Sequence, residues 1–85
     1  MSEIHQVVKS LKDMRPGERG RIAYIRSKEH SRMHRFTAMG IRPGVVAELH
    51  QKYPAYLIKF DGIEIAMDQE LGEDIYLWPV SNLEK

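Results

Sequence analysis

Residues 37 to 44 read TAMGIRPG, and this doubled punctuation constrains the chain more than any other feature of it. Gly40 suits the left-handed residue that ends a helix, and Pro43 with Gly44 suits a tight turn, because proline presets one backbone angle and glycine tolerates positive φ. MRPGERG, at positions 14 to 20, repeats the turn chemistry earlier in the chain. Asp61-Gly62 is the two-residue signal of a type I′ hairpin. The pieces between these marks are short, and the whole chain has 85 residues, close to the size at which one core is only just sufficient.

Each piece has a readable period. RIAYIRS is a strand with Ile22 and Tyr24 on one side and Ala23 and Ile25 on the other, so both faces are expected to be partly covered. The cover is KEHSRMHRFTAM, a helix whose Met33, Phe36 and Met39 share one face, with Ser27 or Ser31 as its cap and Gly40 as its end. VVAELHQK alternates Val45, Ala47 and Leu49 against Glu48 and His50, the mark of a half-buried strand. AYLIKF and IEIAM flank the hairpin signal. DQELGED is a linker with room for one helical turn, and IYLWPV is a last strand that Pro79 confines to an edge or an end. The expectation is a mainly β fold, a small antiparallel barrel of about five strands with one α-helix inserted between the first and second. Residues 1 to 10, where Ile4, Val7 and Val8 lead into Leu11, are set apart as an N-terminal arm capable of a short amphipathic turn, and residues 11 to 85 form the domain.

Composition removes several classes of function. There is no cysteine, which excludes disulfides, thiolate metal sites and a cysteine nucleophile together. A net charge of +1 provides no strong field for a dedicated nucleic-acid binder. No apolar stretch approaches the roughly 20 residues of a bilayer span, and MSEIHQVVKS lacks the pattern of a signal peptide. The expected location is the cytoplasm.

In order and with similar spacing, LKDMRPGERGRIAYI (11 to 25), MGIRPG (39 to 44) running into VVAEL, and GIEIAMDQELGEDIYL (62 to 77) resemble the FeoA family of ferrous iron transport accessory proteins. The resemblance implies an SH3-like barrel, the same fold as the C-terminal domain of iron-dependent repressors of the diphtheria-toxin-repressor type. It also implies a partner, FeoB, the membrane permease with a cytoplasmic GTPase domain. No winged-helix segment precedes the matching region, so a complete repressor is not expected. One departure is QKYPAY, a shorter connection where family members often carry a glycine-containing loop, and it bears on what that loop contacts.

Candidate chemistry gathers on the predicted helix. His30 and His34 stand i, i+4, the spacing that lets two imidazoles share a metal, and they lie away from the Met33, Phe36 and Met39 face. Glu29 is a further candidate ligand, yet in a regular helix it projects about 100° or more from the histidines. By the family resemblance, Glu29 falls where the repressor-type domain has a metal-reaching glutamate, and Arg32 falls where that domain has a glutamine. Arg32 repels a metal ion and pairs more simply with Glu29, so the solvated-face reading is preferred over a site for a divalent transition metal such as iron. Arg26, Lys28, Arg32 and Arg35 form a basic cluster with the two histidines, but no aromatic row is interleaved with it for base stacking. Asp68, Glu70, Glu73 and Asp74 read as a solvated acidic linker without the calcium-loop pattern.

Ser27 and Ser31 have histidines nearby, but no strained elbow or oxyanion feature supports a nucleophile, and no GxxxxGK motif is present. An enzyme is not expected. Surface recognition remains, with Arg32, Arg35 and Tyr53 as candidate partner contacts and Trp78 assigned to the core because so small a barrel needs its bulk. Three functions follow: a non-enzymatic module docking on a FeoB-type permease, a metal-responsive regulatory module, and a nucleic-acid-binding barrel, ranked in that order.

Overall fold

Turn chemistry fixes where the strands begin and end in the computed structural model, which describes residues 7–27 and 29–80, the side chain of His30 excepted. Six strands form one antiparallel sheet: β1 (Lys9–Ser10), β2 (Arg19–Ile25), β3 (Val46–Gln51), β4 (Tyr56–Phe60), β5 (Ile63–Met67) and β6 (Ile75–Val80). A 3-10 turn spans Leu11–Asp13, helix α1 spans His30–Ala38, and a short helix α2 spans Gln69–Glu73. The spatial order is β1-β6-β2-β3-β4-β5, so the last strand returns to lie between the first two. The fold is mainly β and of the SH3-like kind.

The count exceeds the five strands expected because β1 is too short to show a period. Lys9 pairs with Leu77 and Ser10 with Tyr76. The Ser10 hydroxyl donates to the Glu73 carbonyl at 3.0 Å and accepts from the Lys12 amide at 3.2 Å, pinning the strand to the turn that follows. The sheet therefore reaches into the segment read as an arm, and α1 lies between the second and third strands rather than the first and second. Ile4, part of the amphipathic turn expected in the arm, lies outside the described residues, as does Lys28 of the basic cluster.

Helix α1 ends as its sequence dictates. Gly40 has φ of 84°, its amide donates to the Thr37 carbonyl at 2.9 Å, and the Ile41 amide donates to the Phe36 carbonyl at 2.9 Å. This is the Schellman arrangement, with the accompanying apolar contact supplied by Ile41 and Phe36, both buried. The start differs from expectation. Glu29 is the cap residue and its side chain makes no capping bond, while Ser27 instead accepts from the Glu29 amide at 3.3 Å and Ser31 sits within the helix. Phe36 is wholly buried and Met39 packs beside the core, but Met33 is exposed, so α1 meets the sheet through its C-terminal half alone.

Asp61 and Gly62 have φ of 53° and 76°, the pair of positive angles a type I′ turn requires between β4 and β5. Ile22, Ala47, Leu49, Ile58, Phe60, Ile75 and Leu77 point inward with Leu11, Met14, Leu71 and Tyr56. Burying each large apolar side chain contributes about 1.5–3 kcal/mol, which is how so short a chain sustains a core.

Two irregularities re-aim side chains. Ile22 pairs with Leu77 but Tyr24 pairs with the adjacent Tyr76, which leaves Ala23 as an extra residue in β2. The bulge shifts the alternation, so Ile22 and Ile25 both turn inward and Tyr24 turns out, where the sequence period had grouped Tyr24 with Ile22. A second bulge in β3 makes His50 the extra residue, since Leu49 pairs with Ile58 and Gln51 with Leu57. In β6, Ile75 and Leu77 take the inner face and leave Trp78 on the outer one at 40% exposure, so Trp78 is not the core filler its size suggests.

Candidate functional site

Three carboxylates converge on one guanidinium at the side of the barrel. Arg32, in the first turn of α1, places Nε 3.5 Å from Glu29 Oε1, Nη2 3.0 Å from Glu70 Oε2 of α2, and Nη1 3.1 Å from Asp74 Oδ2. Arg32, a cation in any case, has its pKa raised first by the hydrogen bond to Glu70 and further by the charge of Glu70, the hydrogen bond to Asp74 and the charge of Glu29, with desolvation the chief opposing effect. The pairing expected between Glu29 and Arg32 is present. Glu70 and Asp74, read as a solvated linker, are its further partners, and no local spacing links them to Arg32 because Asp74 is 42 residues away in sequence.

An open groove of about 450 Å³ runs beside this cluster, its lining including Lys12, Arg26 and Tyr76 as well as Glu29, Arg32 and Glu73. The Arg26 amide donates to the Asp74 carbonyl at 2.7 Å, and its guanidinium donates to the Tyr76 hydroxyl at 3.3 Å. The groove is lined by charge of both signs. Three of its carboxylates, those of Glu29, Glu70 and Asp74, are already committed to a cation the protein carries itself.

The remaining sequence candidates are dispersed. His34 and Arg35 are exposed on α1, and the side chain of His30 lies outside the described residues. Glu29 faces Arg32, and among the described residues no group of three or more histidines and carboxylates is arranged to hold a metal ion. The chemistry of the Arg32 cluster does not fit a metal, because a guanidinium stands where the ion would have to sit. Tyr53 is 80% exposed on the loop after β3, and that loop is held by Gln51, whose amide donates to the Ala55 carbonyl, and by Gln69, which donates to the Lys52 carbonyl at 2.6 Å. The sequence reading also passed over His50. Its ring faces outward, with Nδ1 2.8 Å from Glu64 Oε2 and Nε2 3.7 Å from Glu48 Oε2 on the open sheet surface. Among the described residues, no helix is long and apolar enough to cross a membrane.

The fold and this surface define a small SH3-like barrel module. The FeoA domain model matches residues 9–78, and the chain belongs to the FeoA family. A crystal structure of an iron uptake regulatory protein (FeoA) superposes with a TM-score of 0.77 at 22% identity, covering 87% of this chain and all of that one. The solution structure of the FeoA protein from Chlorobium tepidum gives 0.76 at 17% identity over 88% of this chain and 73% of that one. A manganese-dependent transcriptional repressor gives 0.81 at 14% identity, with 91% of this chain matched to 44% of the repressor. The chain therefore spans less than half of the repressor's length, and at these identities the likeness is one of fold. No curated protein matches the sequence.

Proposed function

We propose that this protein is a non-enzymatic accessory module of ferrous iron uptake that acts in the cytoplasm by docking on a FeoB-type GTPase permease. Membership of the FeoA family, which implies a role in ferrous iron uptake, is the observation that carries the proposal. The groove supports it: Glu29, Glu70 and Asp74 are engaged by Arg32, an arrangement suited to fixing a surface and poorly suited to proton transfer or nucleophilic attack. The GTP chemistry belongs to the partner, since no phosphate-cradling loop is present in this sequence.

Two measurements test the reading. Deleting the gene should depress uptake of radiolabelled ferrous iron, with restoration by a plasmid copy, and the purified protein should bind the cognate permease reconstituted in lipid nanodiscs. Normal uptake in the deletion strain together with no association in vitro would overturn it.

A further inference from the structure

The outer face of β2 and β6 carries a continuous strip of aromatic and cationic side chains, one that the local spacing of the sequence does not reveal. Tyr24 and Tyr76 are cross-strand partners whose rings stack with centroids 5.1 Å apart and planes 15° from parallel. Trp78 follows on the same face of β6, opposite Arg21 of β2. Tyr24 is 46% exposed and Trp78 40% exposed, although both sit on central strands, where a chain this small would gain most by burying them. The Ala23 bulge is what turns Tyr24 outward into register with Tyr76. Without it, simple alternation would direct Tyr24 toward the core.

An arginine stands at each end of the strip. The Arg26 guanidinium donates to the Tyr76 hydroxyl at 3.3 Å, and the Arg21 guanidinium donates to the Gly44 carbonyl at 3.0 Å. Both acceptors are neutral. Neither arginine forms an ion pair among the described residues, in contrast to Arg32, which is engaged by three carboxylates. The two cations are thus oriented and still uncompensated, which is the state of a charge held for a partner. Aromatic rings flanked by arginines make up the residue types that anchor protein interfaces.

We propose that this face is a docking surface for an acidic segment of a partner protein, with Tyr24, Tyr76 and Trp78 as the apolar anchors and Arg21 and Arg26 as the carboxylate contacts. The inference deepens the docking reading above and rests on it only for the identity of the partner. A protein segment is favoured over single-stranded nucleic acid by two observations. Tyr24 and Tyr76 spend one ring face each on one another, leaving no open gap between them for a base. Arg19, the next cation along β2, lies opposite Glu48 of β3, so the positive strip does not continue as a phosphate backbone would require. On the other side, the carboxylates of the Arg32 groove border Arg26 and Tyr76 and direct an acidic segment away from the groove, toward Trp78 and Arg21.

Photo-crosslinking in the native host tests the assignment. A benzoylphenylalanine is introduced at Tyr24 in one strain and, for comparison, at the exposed Tyr53 in another, with circular dichroism of each purified variant checking the fold. After irradiation, mass spectrometry should identify a carboxylate-rich peptide joined at position 24. The yield should fall roughly tenfold when Arg21→Glu and Arg26→Glu are added. A position-24 adduct to an acidic segment of some protein other than the permease would uphold this surface and defeat the permease as partner. Adducts to the permease from position 53 alone would do the reverse. A nucleic-acid adduct at position 24, an adduct to the chain's own terminal residues, a yield unmoved by the charge reversals, or no adduct there at all would each overturn the proposal. Trp78 is the only tryptophan in the chain, so a shift of its fluorescence on adding the identified peptide must accompany true docking.

Discussion

The ring of Tyr56 occupies the space where any side chain on Gly72 would have to sit. A Cβ built on Gly72 falls 2.7 Å from Cγ of the tyrosine, closer than packed carbons approach. Gly72 lies in α2 with ordinary helical angles, so its glycine is demanded by this packing and not by backbone conformation.

Two effects of opposite sign therefore meet in Gly72→Ala. Helix propensity favours alanine by about 0.8–1.0 kcal/mol, while overpacking a close-fitted core costs about 1–3 kcal/mol. Tyr56 is fully buried and its ring already stands where the new methyl would go, so the variant should be less stable by urea denaturation. In the Tyr56→Leu background the same change should be neutral or stabilising, and a gain in stability in the native background would show that the ring yields.

The buried phenol makes stability sensitive to alkali. Burial raises the pKa of Tyr56, and the nearby carboxylates of Glu73 and Asp13 raise it further. The folded-state value thus lies above the unfolded value of about 10, so stability is intact below about pH 10 and is lost as pH rises through the raised folded value. Urea midpoints should fall as pH rises above about 10, and Tyr56→Phe should flatten that decline. An equal decline in the phenylalanine variant would assign it to other groups.

Helix α1 is attached through few side chains, and among those described Phe36 is the one wholly enclosed. Phe36→Ala should cost about 3–5 kcal/mol, a large share of the ~5–15 kcal/mol that holds a domain together. Met33→Ala, on the same helix face but exposed, should stay within about 0.5 kcal/mol of the parent. Near-ultraviolet circular dichroism during thermal melts separates the two, and similar losses would mean that Met33 packs more firmly than its exposure indicates.

Features set by neighbours in sequence were legible before the structure. Gly40 announces the end of α1 and Asp61-Gly62 the β4–β5 hairpin because both demand positive φ, which few residues tolerate. Features set by distant pairing were not. Two-residue β1 has no period, the Ala23 bulge exists only relative to β6, and Trp78 reads as core until Ile75 and Leu77 are seen to claim the inner face. The Glu29–Arg32 contact could be read from its i, i+3 spacing, whereas Glu70 and Asp74 reach Arg32 only through the packing of α2 and β6 beside α1.

That difference makes Arg32 the most informative position for metal chemistry. With the guanidinium in place, Glu29, Glu70 and Asp74 are satisfied by an internal cation, and a divalent ion must displace it to bind. Removing the cation in Arg32→Ala leaves the carboxylates facing one another across the groove, where a small ion of charge two is the most effective replacement. Binding of Mn2+, followed by paramagnetic broadening of the Glu29, Glu70 and Asp74 amide signals, should therefore tighten by roughly tenfold or more, the order that one close charge is worth near a protein surface. Arg32→Lys should fall between, since an ammonium keeps the charge but cannot span three carboxylates as a planar fork does. If the native chain already binds Mn2+ tightly at these residues, Arg32 swings aside and the groove is a metal site after all. If neither chain binds it, the carboxylates splay apart once the guanidinium is gone, and Arg32 is what assembles them.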